Sequence, residues 1–339
     1  MNKLKIVLCC LLVGITYTSI QAQQFFFSQF YINKLNLNPA YAVLNGGLTL
    51  ATTNRTQWLS VPGGFTTSGG SASYERVFFK KSPVHWGVGL GANHSIEGSA
   101  ILKTTQLKPT VAIGYLGGEG GINVALGLSR NSIWQNYNKD HLVFSDQLNP
   151  YNNDIENSSV NLSAEHLPIK YAQHEVGVVV NKNGKNDWTI GIKWSNLFSN
   201  KDKISLNNVL GSETTHIEGF GVYVIDTKGL FDEVTILTNI KYYDVQNTEL
   251  LHLDIGGYTV WKSILTGVFM RTSKRAFSST NAVSFHLGYI KDINNGKLKF
   301  VYSIDANLGG LTGVNVTDGW PGTNMELGMV FYSDRKSVV

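Results

Sequence analysis

Cysteine, charge and proline are all scarce in this chain. Its 339 residues include 2 Cys and 7 Pro, and only 15% are Asp, Glu, Lys or Arg, against about 25% in an ordinary soluble domain. The cysteines are adjacent, Cys9 and Cys10. That excludes a disulfide framework, a Cys-based zinc site and a thiol nucleophile anywhere downstream of them. The formal net charge is a small +4, without the concentrated basic patch of a nucleic-acid-binding protein. No stretch after the first residues approaches the roughly 20 apolar residues of a spanning helix. Helical periodicity is missing there too. No Gly-x-Ser-x-Gly elbow, Walker loop or His-Glu-x-x-His helix occurs. Apolar residues are plentiful, at 42% with 35 Gly, which is too many for a disordered chain.

The start is organised differently from the rest. Lys3 and Lys5 precede the apolar run from Ile6 to Ile15, and polar residues with small Ala22 follow. Basic start, apolar middle and small residue predict a secretory signal peptide over 1–22, cleaved near Ala22, leaving 23–339 as the mature domain. The cysteines lie inside the apolar run behind Leu8, where a lipoprotein signal needs a small residue. Cleavage removes both cysteines and two lysines, taking the net charge of +4 to about +2. A protein so exported either stays soluble beyond the inner membrane or enters a second membrane as a barrel.

Period-two alternation fills the remainder. Trp86, Val88, Leu90 and Ala92 alternate with Gly87, Gly89, Gly91 and Asn93. Ile122–Ser129 and Trp188–Ser195 repeat the pattern. So do Phe220–Val224, Val234–Ile240, Leu251–Ile255, Phe285–Tyr289, Leu298–Ile304 and Met325–Phe331. Alternate side chains of a strand face opposite sides, so each segment has one apolar face and one small or polar face. Less regular segments near 47–56, 69–79, 101–116, 171–181 and 263–272 bring the count to about fourteen strands. Asn183-Gly184 and Asn295-Gly296 are tight-hairpin signals and imply antiparallel neighbours. One connection is much longer: 131–170, rich in Asn and Ser but with Trp134, Tyr137, Phe144 and Leu148 within it. A loop of that length is functional or disordered as a rule.

A soluble β-sandwich also alternates, but here the apolar faces carry large residues while the others carry Gly, Ser, Thr and Asn. A membrane barrel needs that arrangement, with an apolar exterior and a polar interior. Aromatic residues near strand ends (Trp86, Tyr115, Trp188, Tyr242, Tyr243, Tyr258, Tyr289) fit interfacial girdles. The polar tail Ser333–Ser337 after Phe331 and Tyr332 counts against it. The pattern predicts an all-β fold, a transmembrane antiparallel β-barrel of about fourteen strands in the outer membrane.

Four motifs open the mature chain in fixed order: Phe27-Ser28-Gln29-Phe30-Tyr31, Leu37-Asn38-Pro39-Ala40-Tyr41, Asn54-Arg55-Thr56-Gln57-Trp58, and Val61-Pro62-Gly63-Gly64-Phe65-Thr66-Thr67. Phe144–Pro150, Tyr302–Asp305 and Met325-Glu326-Leu327 follow. Together these resemble the PorP/SprF family, outer-membrane proteins of the type IX secretion system of Gram-negative bacteria. Two positions depart from the family pattern: Ile304 replaces an aromatic residue, and Met325 stands where His is common. The resemblance implies a non-enzymatic barrel without cofactor or metal. It implies partners in the secretion machinery and in the carboxy-terminal domains of secreted cargo such as adhesins and gliding-type proteins, with lipid around the barrel and no nucleic acid. Its motif residues Asn38, Pro39, Tyr41, Arg55, Trp58, Pro62 and Gly63 are candidate binding residues. They read equally as a structural plug or clasp before the first strand, with Arg55 and Trp58 stacking on it by cation–π contact.

Two other readings remain open at this point. A passive porin or solute transporter requires an open polar lumen that conducts ions. A barrel-embedded hydrolase would use His252 and Asp254, which share one strand face; a solvated lumen face explains them with fewer assumptions. His174 and Glu175 point to opposite faces and cannot cooperate as neighbours.

Overall fold

The computed structural model describes residues 27–59, 63–79, 82–98, 101–118, 120–137, 169–183, 186–196, 216–227, 231–245, 248–275, 278–308 and 323–333. The predicted leader, Pro62, Gly184, Phe144 and Leu148 lie outside them. Fourteen strands follow one another: β1 (Leu48–Gln57), β2 (Phe65–Val77), β3 (Val84–Glu97), β4 (Leu102–Leu116), β5 (Ile122–Tyr137), β6 (Ile169–Lys182), β7 (Asn186–Ser195), β8 (His216–Asp226), β9 (Glu233–Val245), β10 (Thr248–Trp261), β11 (Ile264–Arg275), β12 (Ser278–Ile293), β13 (Gly296–Asn307) and β14 (Asn324–Ser333). Each pairs antiparallel with its sequence neighbours, and β1 pairs with β14 from Thr49↔Tyr332 to Thr56↔Met325. The barrel is therefore closed. Closure leaves no strand edge to face a solvent that cannot hydrogen-bond.

Burial alternates along the strands as the sequence pattern requires. Val111, Leu128, Ile190, Ile255, Val268, Phe285, Leu287 and Leu327 point outward and are exposed, forming an apolar belt for lipid. Ile304 and Met325 point outward as well, so the family departures at these positions face the membrane. Two girdle assignments are corrected. Tyr243 and Tyr258 are buried inside the wall, because each shares strand parity with an inward carboxylate or amide of its neighbours.

Connections divide between two rims. The rim where the chain enters β1 and leaves β14 carries short ones, including the two-residue link 262–263, with Lys262 at φ 58°. The hairpin near 295 turns on Asn294 and Asn295, and Gly296 is the first residue of β13, paired with Ile293. The opposite rim carries the long connections. The predicted loop 131–170 shrinks to 138–168, since Trp134 and Tyr137 belong to β5 and β6 begins at Ile169.

A segment before β1 lies inside the barrel. It holds the one-turn helix α1 (Lys34–Leu37) and a 3-10 turn (Pro39–Val43). Asn33 caps α1, and Asn38 caps the 3-10 turn with Pro39 at its first position. Phe30, Tyr31, Ile32, Leu35, Leu37, Tyr41 and Val43 form the core with Val179, Phe220, Leu237, Leu265, Phe269, Val301 and Val330 of the wall. Part of the inner wall is thus apolar, where the expectation was a polar lumen, because it packs on this plug.

Candidate functional site

The plug motifs meet the wall residue by residue. Ser28 and Gln29 donate their backbone N–H groups to the Glu326 carboxylate at 2.6 and 2.9 Å. The Gln29 side chain donates to Ser303 Oγ and the Glu326 carbonyl, both at 2.9 Å. Ser28 Oγ donates to Asp305 at 2.6 Å. Phe30 and Tyr31 enter an aromatic cluster with Tyr258, Phe269 and His286, and the Tyr31 hydroxyl lies 2.8 Å from His286 Nδ1.

Farther along, Asn38 Oδ1 accepts from Ala40 N at 2.9 Å, while its amide donates to the Ile192 carbonyl at 2.9 Å. Tyr41 stacks on Phe220 with ring centroids 5.6 Å apart. The Lys34 ammonium lies 5.5 Å above the Tyr41 ring and 5.3 Å above Tyr332. Burial, with the Lys299 ammonium second, pushes Lys34 down to about 8.

Glycines of the inner wall make room for this backbone. A Cβ on Gly87 would stand 2.1 Å from the Ala42 carbonyl oxygen, and one on Gly127 2.3 Å from Pro39 C and Ala40 N. A Cβ on Gly177 would meet Asn38 Oδ1 at 2.1 Å. The alternating glycines of β3 are therefore a cradle for the plug.

Near the rim with the long connections, the inner wall carries a belt of alternating charge. Arg55 faces Glu326 across β1 and β14, Arg271 faces Asp254 across β11 and β10, and Glu218 of β8 faces Lys241 of β9 and Lys193 of β7. Lys108 and Glu175 continue the belt on β4 and β6, and Asp305 on β13. The contacts are close: Arg55–Asp305 3.0 Å, Arg271–Asp254 2.6 Å, Arg271–Asp305 3.5 Å, Lys193–Glu218 2.6 Å, Lys241–Glu218 3.2 Å and Lys108–Glu175 3.4 Å. Carboxylates and cations balance. The plug is tied into the belt at two places. Arg271 reaches Ser28 Oγ at 3.2 Å, and Lys108 and Lys193 both donate to the Asn36 carbonyl, at 3.2 and 3.3 Å.

Of the candidate residues, Asn38, Pro39, Tyr41 and Arg55 come together inside the barrel. Arg55 reaches the plug through Asp305 and Ser28. Trp58 stands apart: at φ 57°, its ring lies tilted against Phe65 with centroids 4.5 Å apart, so the expected cation–π contact of Arg55 and Trp58 with the amino-terminal motif is replaced by an ion pair and a local aromatic pair. Gly63, at φ 82°, turns the β1–β2 connection.

His252 and Asp254 are 3.0 Å apart. Asp254 also accepts from Arg271 Nε at 2.6 Å, which makes it a member of the charge belt. No group of side chains that could hold a metal ion occurs among the described residues.

The belt escaped the sequence reading. Its signal was there: Lys193, Glu218, Lys241, Asp254 and Glu326 are single charges between strand residues that are otherwise apolar or small.

Residues 19–319 match the family described as type IX secretion system membrane protein PorP/SprF. The chain belongs to the PorP/SprF family. Its first two amino-terminal motifs form the plug, and its closing motifs supply Asp305 and Glu326, which hold the plug. Comparison with the curated proteins gave no match. Among solved structures, this PorP/SprF chain is similar to a Pseudomonas aeruginosa FadL homologue, at 9% identity and TM-score 0.48, covering 88% of this chain and 93% of that one. It is also similar to the TodX monoaromatic hydrocarbon channel, at 10% identity and TM-score 0.44, covering 89% and 94%. A porin aligns at 10% identity and TM-score 0.37, covering 84% and 98%.

Proposed function

We propose that this barrel is a sealed, non-enzymatic docking component of type IX secretion, needed for secretion or surface attachment of particular cargo through the cargo carboxy-terminal domain or the periplasmic machinery. The filled lumen carries this reading. A plug fastened to the wall by the belt, the aromatic cluster and the glycine cradle leaves the rims and the outer wall for partners. Outer-membrane barrels turn short connections to the periplasm and long ones outward. By that rule the 138–168 connection faces the cell exterior and meets exported cargo there. Binding would come from its aromatic and aliphatic anchors with polar contacts around them.

The test is a deletion strain whose surface and medium proteomes are compared with the parent, joined to affinity capture of the tagged barrel from solubilised outer membrane. Loss of one or a few surface proteins that also co-purify with the barrel supports the reading. An unchanged surface proteome, together with steady ion conductance of the purified protein in planar bilayers, overturns it in favour of a porin.

A further inference from the structure

We propose that the lumen mouth at the short-connection rim is a binding site for a peptide carboxylate, built on the ammonium groups of Lys34 in the plug and Lys299 in β13. Lys299 shares its strand face with buried Val301 and Ser303, so it points into the lumen. It is level with Val330 of β14, one step deeper than Tyr332. The Lys34 ammonium lies over that Tyr332 ring from the plug side. The two cations therefore share one recess. Both lysines are half-buried, and solvent reaches them.

The charge belt shows how this lumen treats its other buried cations. Arg55, Arg271, Lys108, Lys193 and Lys241 each touch a carboxylate. Among the described residues, neither Lys34 nor Lys299 does. Lys34 has only the faces of Tyr41 and Tyr332. Lys299 has the Tyr258 ring at 4.8 Å and its hydroxyl at 3.4 Å. The Glu233 carboxylate acts on both ammoniums from beyond contact. It is already engaged by Thr235 Oγ1 at 2.6 Å and by the Tyr258 hydroxyl. Lys297, on the exposed rim, has Asp292 at 3.8 Å. Two ammoniums thus answer to one carboxylate, and one positive charge is left without a partner.

The ligand class follows from that balance. A half-desolvated cation without a counter-charge gains from an anion more than an exposed one does. One unmatched charge calls for a monoanion, so a carboxylate suits the recess better than a dianionic phosphate. Lysine ammoniums are point charges with rotatable donors and accept a carboxylate in any orientation. The half-buried Tyr332 ring beside them offers an amphipathic surface to the peptide that carries it. The site depends neither on the 138–168 connection nor on cargo.

The experiment uses the full chain in lipid nanodiscs, with two peptides as probes. Amidated tetra-glutamate carries its carboxylates on side chains, and tetra-glutamine with a free carboxy terminus carries one at the chain end. Amidated tetra-glutamine and inorganic phosphate are the comparisons. Acetylation at pH 8, read by mass spectrometry, follows each lysine of the unaltered chain; Lys34, at about 8, is partly neutral and reactive there. At least one of the two probes is expected to slow acetylation of Lys34 and Lys299 about fivefold or more, leaving exposed Lys291 on the outer face of β12 unchanged. Protection by the first probe assigns an acidic side chain as the ligand, and protection by the second a chain terminus. Lys34→Met and Lys299→Met should each weaken binding of the protecting peptide about tenfold in fluorescence anisotropy, and Lys291→Met should not. No protection by either probe, equal protection by phosphate or by amidated tetra-glutamine, or equal protection of Lys291 overturns the proposal.

Discussion

Arg55 shows at the scale of one residue how the interior is balanced. Its guanidinium is buried between Asp305 and Glu326. Removing one partner of a buried pair leaves charge uncompensated at a cost of about 3–5 kcal/mol. Arg55→Met should therefore lower the unfolding midpoint in urea, and Asp305→Asn in the same background should restore part of the loss. Gly127→Ala places a Cβ against the plug backbone and should cost about 1–3 kcal/mol. Gly219→Ala, whose Cβ has nothing nearer than the Gly191 carbonyl at 4.0 Å, should change stability by less than about 0.5 kcal/mol. Lys34 makes the interior sensitive to pH. Its folded value of about 8 lies below its ordinary 10.5, so between those values the unfolded chain holds more protons than the folded one. Stability should rise with pH across that window and be lowest below it. Lys34→Met should flatten this rise in denaturation curves measured at pH 7 and pH 10.

The plug is the element that decides what the barrel can do. It is a short helix and a 3-10 turn, too brief to be stable alone. Side-chain caps and contacts with nearly every part of the wall hold it. Deleting Phe27–Val43 while keeping residues 1–26 should expose Leu265, Val301 and Val330 to water and turn a closed barrel into a conducting one, read as channel events in planar bilayers that the full chain lacks. Sequence reading found the motifs of this element and left open whether they bind or pack. Asn38 and Tyr41 look alike in sequence whether they face a partner or Gly177 and Phe220. Only the lumen around them tells these cases apart.

For the molecule as a whole, the strand count and the sense of inside and outside were legible from residues two apart. A strand reports its two faces locally, and fourteen strands with an apolar outer belt were readable from Trp86–Asn93 and its repeats. The loop bounds were less so, because Trp134 and Tyr137 alternate with polar residues too briefly to separate strand from loop. If the long connections serve partners and the wall serves stability, excising 142–164 should leave heat-modifiable migration unchanged while abolishing capture of cargo by the tagged barrel. Loss of folding in that variant would show instead that the connection is part of the wall.

The sequence by itself determined the alternation, the closed-barrel class and the family motifs, since each is written in neighbouring residues. The tertiary structure alone decided that the lumen is filled, that Met325 and Ile304 face lipid, and that scattered single charges form one belt. The reason is distance along the chain. Arg55 and Asp305 are 250 residues apart, and Ser28 and Glu326 are 298 apart. Such pairs are set by the summed register of every strand between them and by the closure of β1 on β14.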